Sequence, residues 1–164
     1  MSCWHKRPYA VRVSKLLVVK NRESIPSAVG VLTKPPNATS NATTRILIAE
    51  DSESMRNALR MWFRLRKNWE ICGEAQDARE VILQAEMLHP DLIVLDYKMQ
   101  DTNGLQAAKA LSKLLPETPL VMFTLYKTDE LERAAEVIGI RCVIGKEEGM
   151  PTLLKAIESQ LPIS

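Results

Sequence analysis

From residue 45 onward the hydrophobic positions fall into two alternating textures. Short unbroken apolar runs read as strands buried on both faces, and longer stretches at helical spacing read as amphipathic helices. Ile46–Ala49 is the first run, closed by Glu50 and Asp51. Ser52 can cap a helix whose apolar positions are Met55, Ala58, Leu59, Trp62 and Leu65. Trp69–Ala75 reads as a second strand. Asp77 can cap a second helix with Ala78, Val81, Ile82, Ala85 and Leu88 on one face, stopped by Pro90. Leu92–Leu95 is a third strand, ending at Asp96. A polar loop with Asn103-Gly104 leads into a helix over Leu105–Leu115, stopped by Pro116. Leu120–Phe123 is a fourth strand, ending at Thr124. A helix over Asp129–Ile138 closes at Gly139. Ile140–Ile144 is a fifth strand, ending near Lys146, and Pro151–Leu161 is a last helix with proline in its first turn.

Continuous apolar strands, each followed by a helix, predict an α/β protein with a parallel sheet covered on both faces. The right-handed crossover rule makes a doubly wound five-stranded sheet, (βα)5 and flavodoxin-like, the simplest topology.

The first 44 residues lack any sustained period. Pro8, Pro26, Pro35 and Pro36 interrupt them, and 33–44 is mostly Pro, Asn, Thr, Ser and Ala. Such a composition buries too little apolar surface to offset its ordering entropy. The expected organisation is a disordered basic extension with a linker over 1–44, carrying at most a short strand at Ser14–Lys20, and one folded domain over 45–164. Asn37-Ala-Thr and Asn41-Ala-Thr match the glycosylation sequon, but chance in an Asn/Thr-rich linker accounts for them better.

Charge sharpens this division. The net charge of +2 hides seven bases against one acid in 1–44, a net +6, and fifteen bases against nineteen acids in 45–164, a net −4. A uniformly basic nucleic-acid-coating protein is excluded. Cys3, Cys72 and Cys142 form no CxxC, and the two histidines complete no zinc pattern. Free thiols and the lack of any apolar run near the ~20 residues that span a bilayer imply a soluble, cytoplasmic chain.

In a doubly wound sheet ligands bind beyond the carboxyl ends of the strands. The polar residues there are Glu50, Asp51, Asp96, Thr124 and Lys146. Clustered carboxylates repel, and a hard divalent cation with oxygen ligands relieves that conflict. Lysine suits a phosphoryl oxygen, and an aspartate can attack phosphorus to form an aspartyl phosphate.

The stretches ILIAED (Ile46–Asp51), DLIVLDYKMQDTNGL (Asp91–Leu105), VMFTLY (Val121–Tyr126) and CVIGK (Cys142–Lys146) resemble the receiver domain of two-component response regulators. Within that family GEAQDAREVI and FTLYKTDE are most similar to the NarL/FixJ branch. The resemblance implies that Asp96 accepts a phosphoryl group from a phosphohistidine, supplied by a sensor histidine kinase or a histidine phosphotransfer protein. It implies Mg2+ held by Asp51, Asp96 and the backbone carbonyl of Lys98, with Glu50 acting largely through water. Thr124 would close onto the phosphoryl group and Lys146 would pair with it. Such a module is a switch, not an enzyme. Its output face would be built from the fourth helix, fifth strand and fifth helix, with Tyr126, Leu131 and Val137 as surface residues. The alternative that these apolar residues are buried stays open at this point, as does a homodimer beside an unknown downstream protein. Branch relatives commonly carry a C-terminal helix-turn-helix, and no DNA-binding segment is read after the last helix.

Three positions depart from the family pattern. Gln100 replaces a usual proline, predicting a looser loop after Asp96. Val143 replaces a usual aromatic, so threonine–aromatic coupling cannot operate there. Glu147 replaces a frequent proline. Lys98 adds a cation at the rim of the site, with an expected effect on aspartyl-phosphate lifetime.

Other classes fit less well. A haloacid-dehalogenase-type hydrolase needs an aspartate where Lys98 stands. A flavin phosphate would be repelled by Glu50-Asp51. The basic arm alone could give weak, salt-sensitive binding to nucleic acid, membrane or an acidic partner.

Overall fold

Strands that are apolar at every position need cover on both faces. The structure, a computed structural model, describes residues 43–100 and 102–161. The strands β1 (Thr44–Ala49), β2 (Trp69–Ala75), β3 (Leu92–Leu95), β4 (Leu120–Thr124) and β5 (Cys142–Gly145) form one parallel sheet. Its order is β2-β1-β3-β4-β5, the doubly wound, flavodoxin-like order expected from the chain. The helices are α1 (Glu53–Phe63), α2 (Ala78–Leu88), α3 (Gly104–Leu114), α4 (Asp129–Ile138) and α5 (Met150–Gln160). The extension, the Ser14–Lys20 strand and the linker up to residue 42 lie outside the described residues.

The period of two along each strand divides the core. Ile46, Ile48, Val94, Val121, Phe123 and Ile144 pack with Leu59 and Phe63 of α1 and Leu153, Leu154 and Ile157 of α5. Leu47, Ala49, Ile93, Leu95, Met122 and Val143 face the other way, against α2, α3 and α4. A side chain of this size contributes roughly 1.5–3 kcal/mol when fully buried. A one-residue slip of a strand would exchange the two faces, so packing fixes the register.

The predicted caps form. Ser52 accepts the N–H of Met55 at 3.4 Å, and Asp77 accepts that of Glu80 at 2.8 Å. Gly139 closes α4 with φ 97°, in the left-handed region that glycine enters without a Cβ clash. Among the described residues no helix is long and apolar enough to cross a membrane.

Several boundaries move. α1 stops at Phe63, and Leu65, expected on its buried face, is exposed. α3 starts at Gly104 because the Asn103 side chain accepts the Leu105 N–H at 2.9 Å. β5 starts at Cys142, since the Ile140 N–H turns back to the Ala135 carbonyl and finishes α4. Ile46 pairs with Ile71 but Leu47 pairs with Gly73, so Cys72 is the extra residue of a bulge. Its thiol is half-buried rather than in the core. After Asp96 a short antiparallel ladder, not foreseen from the sequence, pairs Lys98–Met99 with Thr102–Asn103.

Candidate functional site

Strand register brings the polar strand ends together. Ala49 stands opposite Leu95, so Glu50 and Asp96 leave neighbouring strands side by side. Leu95 stands opposite Met122, and Thr124 opposite Gly145, which places Thr124 and Lys146 at the same edge. The strand order reverses between β1 and β3, the place where doubly wound sheets take their ligands.

One carboxylate oxygen from each of Glu50, Asp51 and Asp96 lies within 4.8 Å of the others. Glu50 and Asp96 are buried and Asp51 is half-buried. The Lys146 ammonium donates to Glu50 Oε2 at 2.6 Å and to Asp96 Oδ2 at 2.8 Å. Glu50 Oε1 accepts the Ser52 N–H at 3.2 Å, and Asp96 Oδ1 accepts the Lys98 N–H at 3.4 Å. Burial pushes the Glu50 carboxyl above the usual glutamate value, although Lys146 pulls against it. For Lys146 burial pulls the ammonium down, but its bonds to Asp96 and Glu50 outweigh that and the net direction is up. Three carboxylates against one ammonium leave uncompensated negative charge. An all-oxygen cluster of this kind fits a hard divalent cation such as Mg2+.

Thr124 is fully buried, and its hydroxyl accepts the Tyr126 N–H at 3.2 Å. The Lys98 side chain turns to Tyr126, with Nζ 3.4 Å from the phenol oxygen and 5.2 Å from the ring centroid. Of the surface residues expected on the output face, Tyr126 is exposed and Val137 is 89% exposed. Leu131 is a correction: it is 6% exposed and packs into the core on the α2–α3–α4 side. Its position on α4, four residues before Ala135, puts it on the inward stripe. Val143 sits in the same core, too short to swing between a buried and an exposed rotamer as a longer ring could.

Reading the sequence missed three contributors. Arg56 is 7% exposed, and its Nη1 donates to the backbone carbonyls of Glu50 at 2.8 Å and Asp51 at 2.9 Å. A signal existed: Arg56 lies three and seven residues before Leu59 and Phe63, on the inward stripe of α1. Gly104 packs against the Asp96 backbone, where an added Cβ would lie 2.2 Å from the Asp96 carbonyl oxygen. Lys127 pairs with Glu148 at 2.7 Å and Glu132 at 3.4 Å, and Glu148 also accepts the Gly145 N–H at 2.8 Å. This links the loop after Thr124 to the turn that carries Lys146.

Residues 46–158 match the model of the response regulator receiver domain. The transcriptional regulatory protein PdtaR of Mycobacterium tuberculosis is 35% identical over 115 residues, 70% of this chain and 55% of that protein. The transcriptional regulatory protein LnrK of Bacillus subtilis is 26% identical over 113 residues, 69% of this chain and 51% of that protein. The chain thus spans about half the length of these curated relatives. Among solved structures, the response regulator domain of Thermotoga maritima CheB aligns with TM-score 0.67 and 26% identity, covering 74% of this chain and 98% of that one. Vibrio cholerae CheY4 aligns with TM-score 0.65 and 25% identity, covering 73% and 100%. With its sheet order, its acidic strand ends and this match, the chain belongs to the response regulator receiver domain family.

Proposed function

We propose that this chain is a phosphoacceptor of a two-component phosphorelay, with Asp96 as the residue that takes the phosphoryl group. The observation that carries the reading is the Lys146 ammonium bonded to Glu50 and Asp96 inside a three-carboxylate cluster at the carboxyl edge of the sheet. An Asp96 oxygen forms the new bond to phosphorus as the bond from phosphorus to the donor imidazole breaks, and that electron pair returns to nitrogen. No general base is required, because the attacking carboxylate carries no proton. Lys146 stays bonded to one Asp96 oxygen and orients the other for attack. Glu50, Asp51, Asp96 and the Lys98 carbonyl would hold Mg2+, which when bound neutralises charge on the phosphoryl oxygens. Thr124 supplies a hydroxyl that can leave the Tyr126 N–H for a phosphoryl oxygen.

Phosphorylation adds nearly two negative charges and shifts a two-state equilibrium at the face of α4, β5 and α5, where Tyr126 and Val137 are exposed. The partners are a sensor histidine kinase or histidine phosphotransfer protein and a downstream protein, in the cytoplasm. The test is acetyl-phosphate labelling with Mg2+ of wild type and Asp96→Asn. Labelling of wild type alone is expected, and equal labelling of both would overturn the reading.

A further inference from the structure

We propose that Arg56 is a positioning residue for the divalent-cation site, clamping the backbone of the two adjacent acids that lead from β1 into α1. Consecutive carboxylates on a strand-to-helix loop tend to separate by repulsion when no cation joins them. Here one guanidinium nitrogen, which bears two hydrogens, bonds the carbonyls of both Glu50 and Asp51. Both main-chain oxygens are thereby tied to one rigid planar group, and the two side chains leave the loop at a set angle.

The clamp is anchored from behind. Arg56 Nε lies 3.6 Å from Glu74 Oε2 on β2. Arg60 grips the same carboxylate with two bonds, Nε to Oε1 at 2.5 Å and Nη2 to Oε2 at 3.0 Å. Arg60 Nη1 in turn donates to Asn57 Oδ1 at 2.5 Å. An ion pair from Arg56 and two hydrogen bonds from Arg60 therefore meet on Glu74, which ties α1 to β2 behind the loop. Lysine at position 56 could keep the charge but not the planar fork that faces the two carbonyls and Glu74 together.

Arg56 bonds the main-chain carbonyls of Glu50 and Asp51 rather than their carboxylates, so its effect appears in cation affinity rather than in the chemical step. Residues that orient metal ligands typically change affinity about 10–100-fold when replaced. This inference rests on the phosphoacceptor reading. Calorimetric titration with Mg2+ compares wild type with Arg56→Lys, and acetyl-phosphate labelling is followed at low and at saturating Mg2+. The expected result is roughly tenfold weaker Mg2+ binding in Arg56→Lys, with labelling restored to within about twofold of wild type at saturation. Unchanged Mg2+ affinity in a folded Arg56→Lys overturns the proposal while leaving the phosphoacceptor reading intact. A wild type that takes up no Mg2+ overturns both. Should Arg56→Lys fail to fold, Glu74→Gln decides: weaker Mg2+ binding with normal labelling at saturation supports the clamp, and unchanged affinity removes it.

Discussion

At the scale of single residues the site depends on close approaches of backbone as much as on charged groups. Gly104 shows this. The Gly104 N–H donates to the Tyr97 carbonyl at 2.6 Å, and the space a side chain would occupy is filled by the Asp96 carbonyl and the Tyr97 Cα. Backbone cannot step aside as a flexible side-chain tip can. Gly104→Ala should therefore cost about 2 kcal/mol in urea unfolding and move the Asp96 loop, lowering acetyl-phosphate labelling even at temperatures where the protein stays folded. Normal labelling with wild-type stability would show that the loop relaxes freely. Nothing about the dipeptide Asn103-Gly104 alone distinguishes this role from that of an ordinary turn.

At the scale of elements the question is how the loops at the sheet edge move together. Val143 is small and buried, and the link between the loop after β4 and the turn after β5 is ionic: Lys127, Glu148 and the Gly145 N–H. The Lys127 ammonium beside it, and then the Gly145 N–H, hold the Glu148 carboxyl below the usual glutamate value. A depressed folded value means that Glu148 contributes stability above the ordinary carboxylate range. That contribution is lost as pH falls through the folded value. The pair is partly exposed, so the gain is modest, about 1 kcal/mol. Glu148→Gln should be less stable than wild type by about that amount near pH 7, with the two converging as pH falls below the ordinary carboxylate range. Parallel stability curves across that range would show that the pair does not act as described.

At the scale of the whole molecule the sheet edge trades stability for chemistry. Glu50, Asp51 and Asp96 sit within reach of one another, with Lys146 paired to Glu50 and Asp96. Folding assembles this charge, and the unfolded chain disperses it. A cation bound only by the folded state adds stability by mass action, about 2.7 kcal/mol at a hundredfold excess over its dissociation constant. Millimolar Mg2+ should thus raise the Tm of wild type, and EDTA should reverse the rise. Asp51→Asn should have the higher Tm without Mg2+, because one repelling charge is gone, and should respond little to Mg2+. A Tm response to Mg2+ that survives Asp51→Asn would remove Asp51 from the ligand set.

Much of this molecule was determined by its sequence alone. Unbroken apolar runs and helical spacing specify five strands and five helices, because each texture can be buried in only one way. Acids, a threonine and a lysine at the strand ends mark the candidate site, because a parallel sheet brings its carboxyl ends to one edge. Tertiary structure decided what depends on three-dimensional neighbours. It buried Leu131, made Cys72 the extra residue of a bulge, and paired Lys98–Met99 with Thr102–Asn103 after Asp96. It also set the Arg56 guanidinium against the carbonyls of two adjacent acids, a pairing that its place on the inward stripe of α1 does not by itself specify. Hydrophobic periodicity reports which face a residue shares, whereas hydrogen bonds between distant segments exist only once the sheet has set their register.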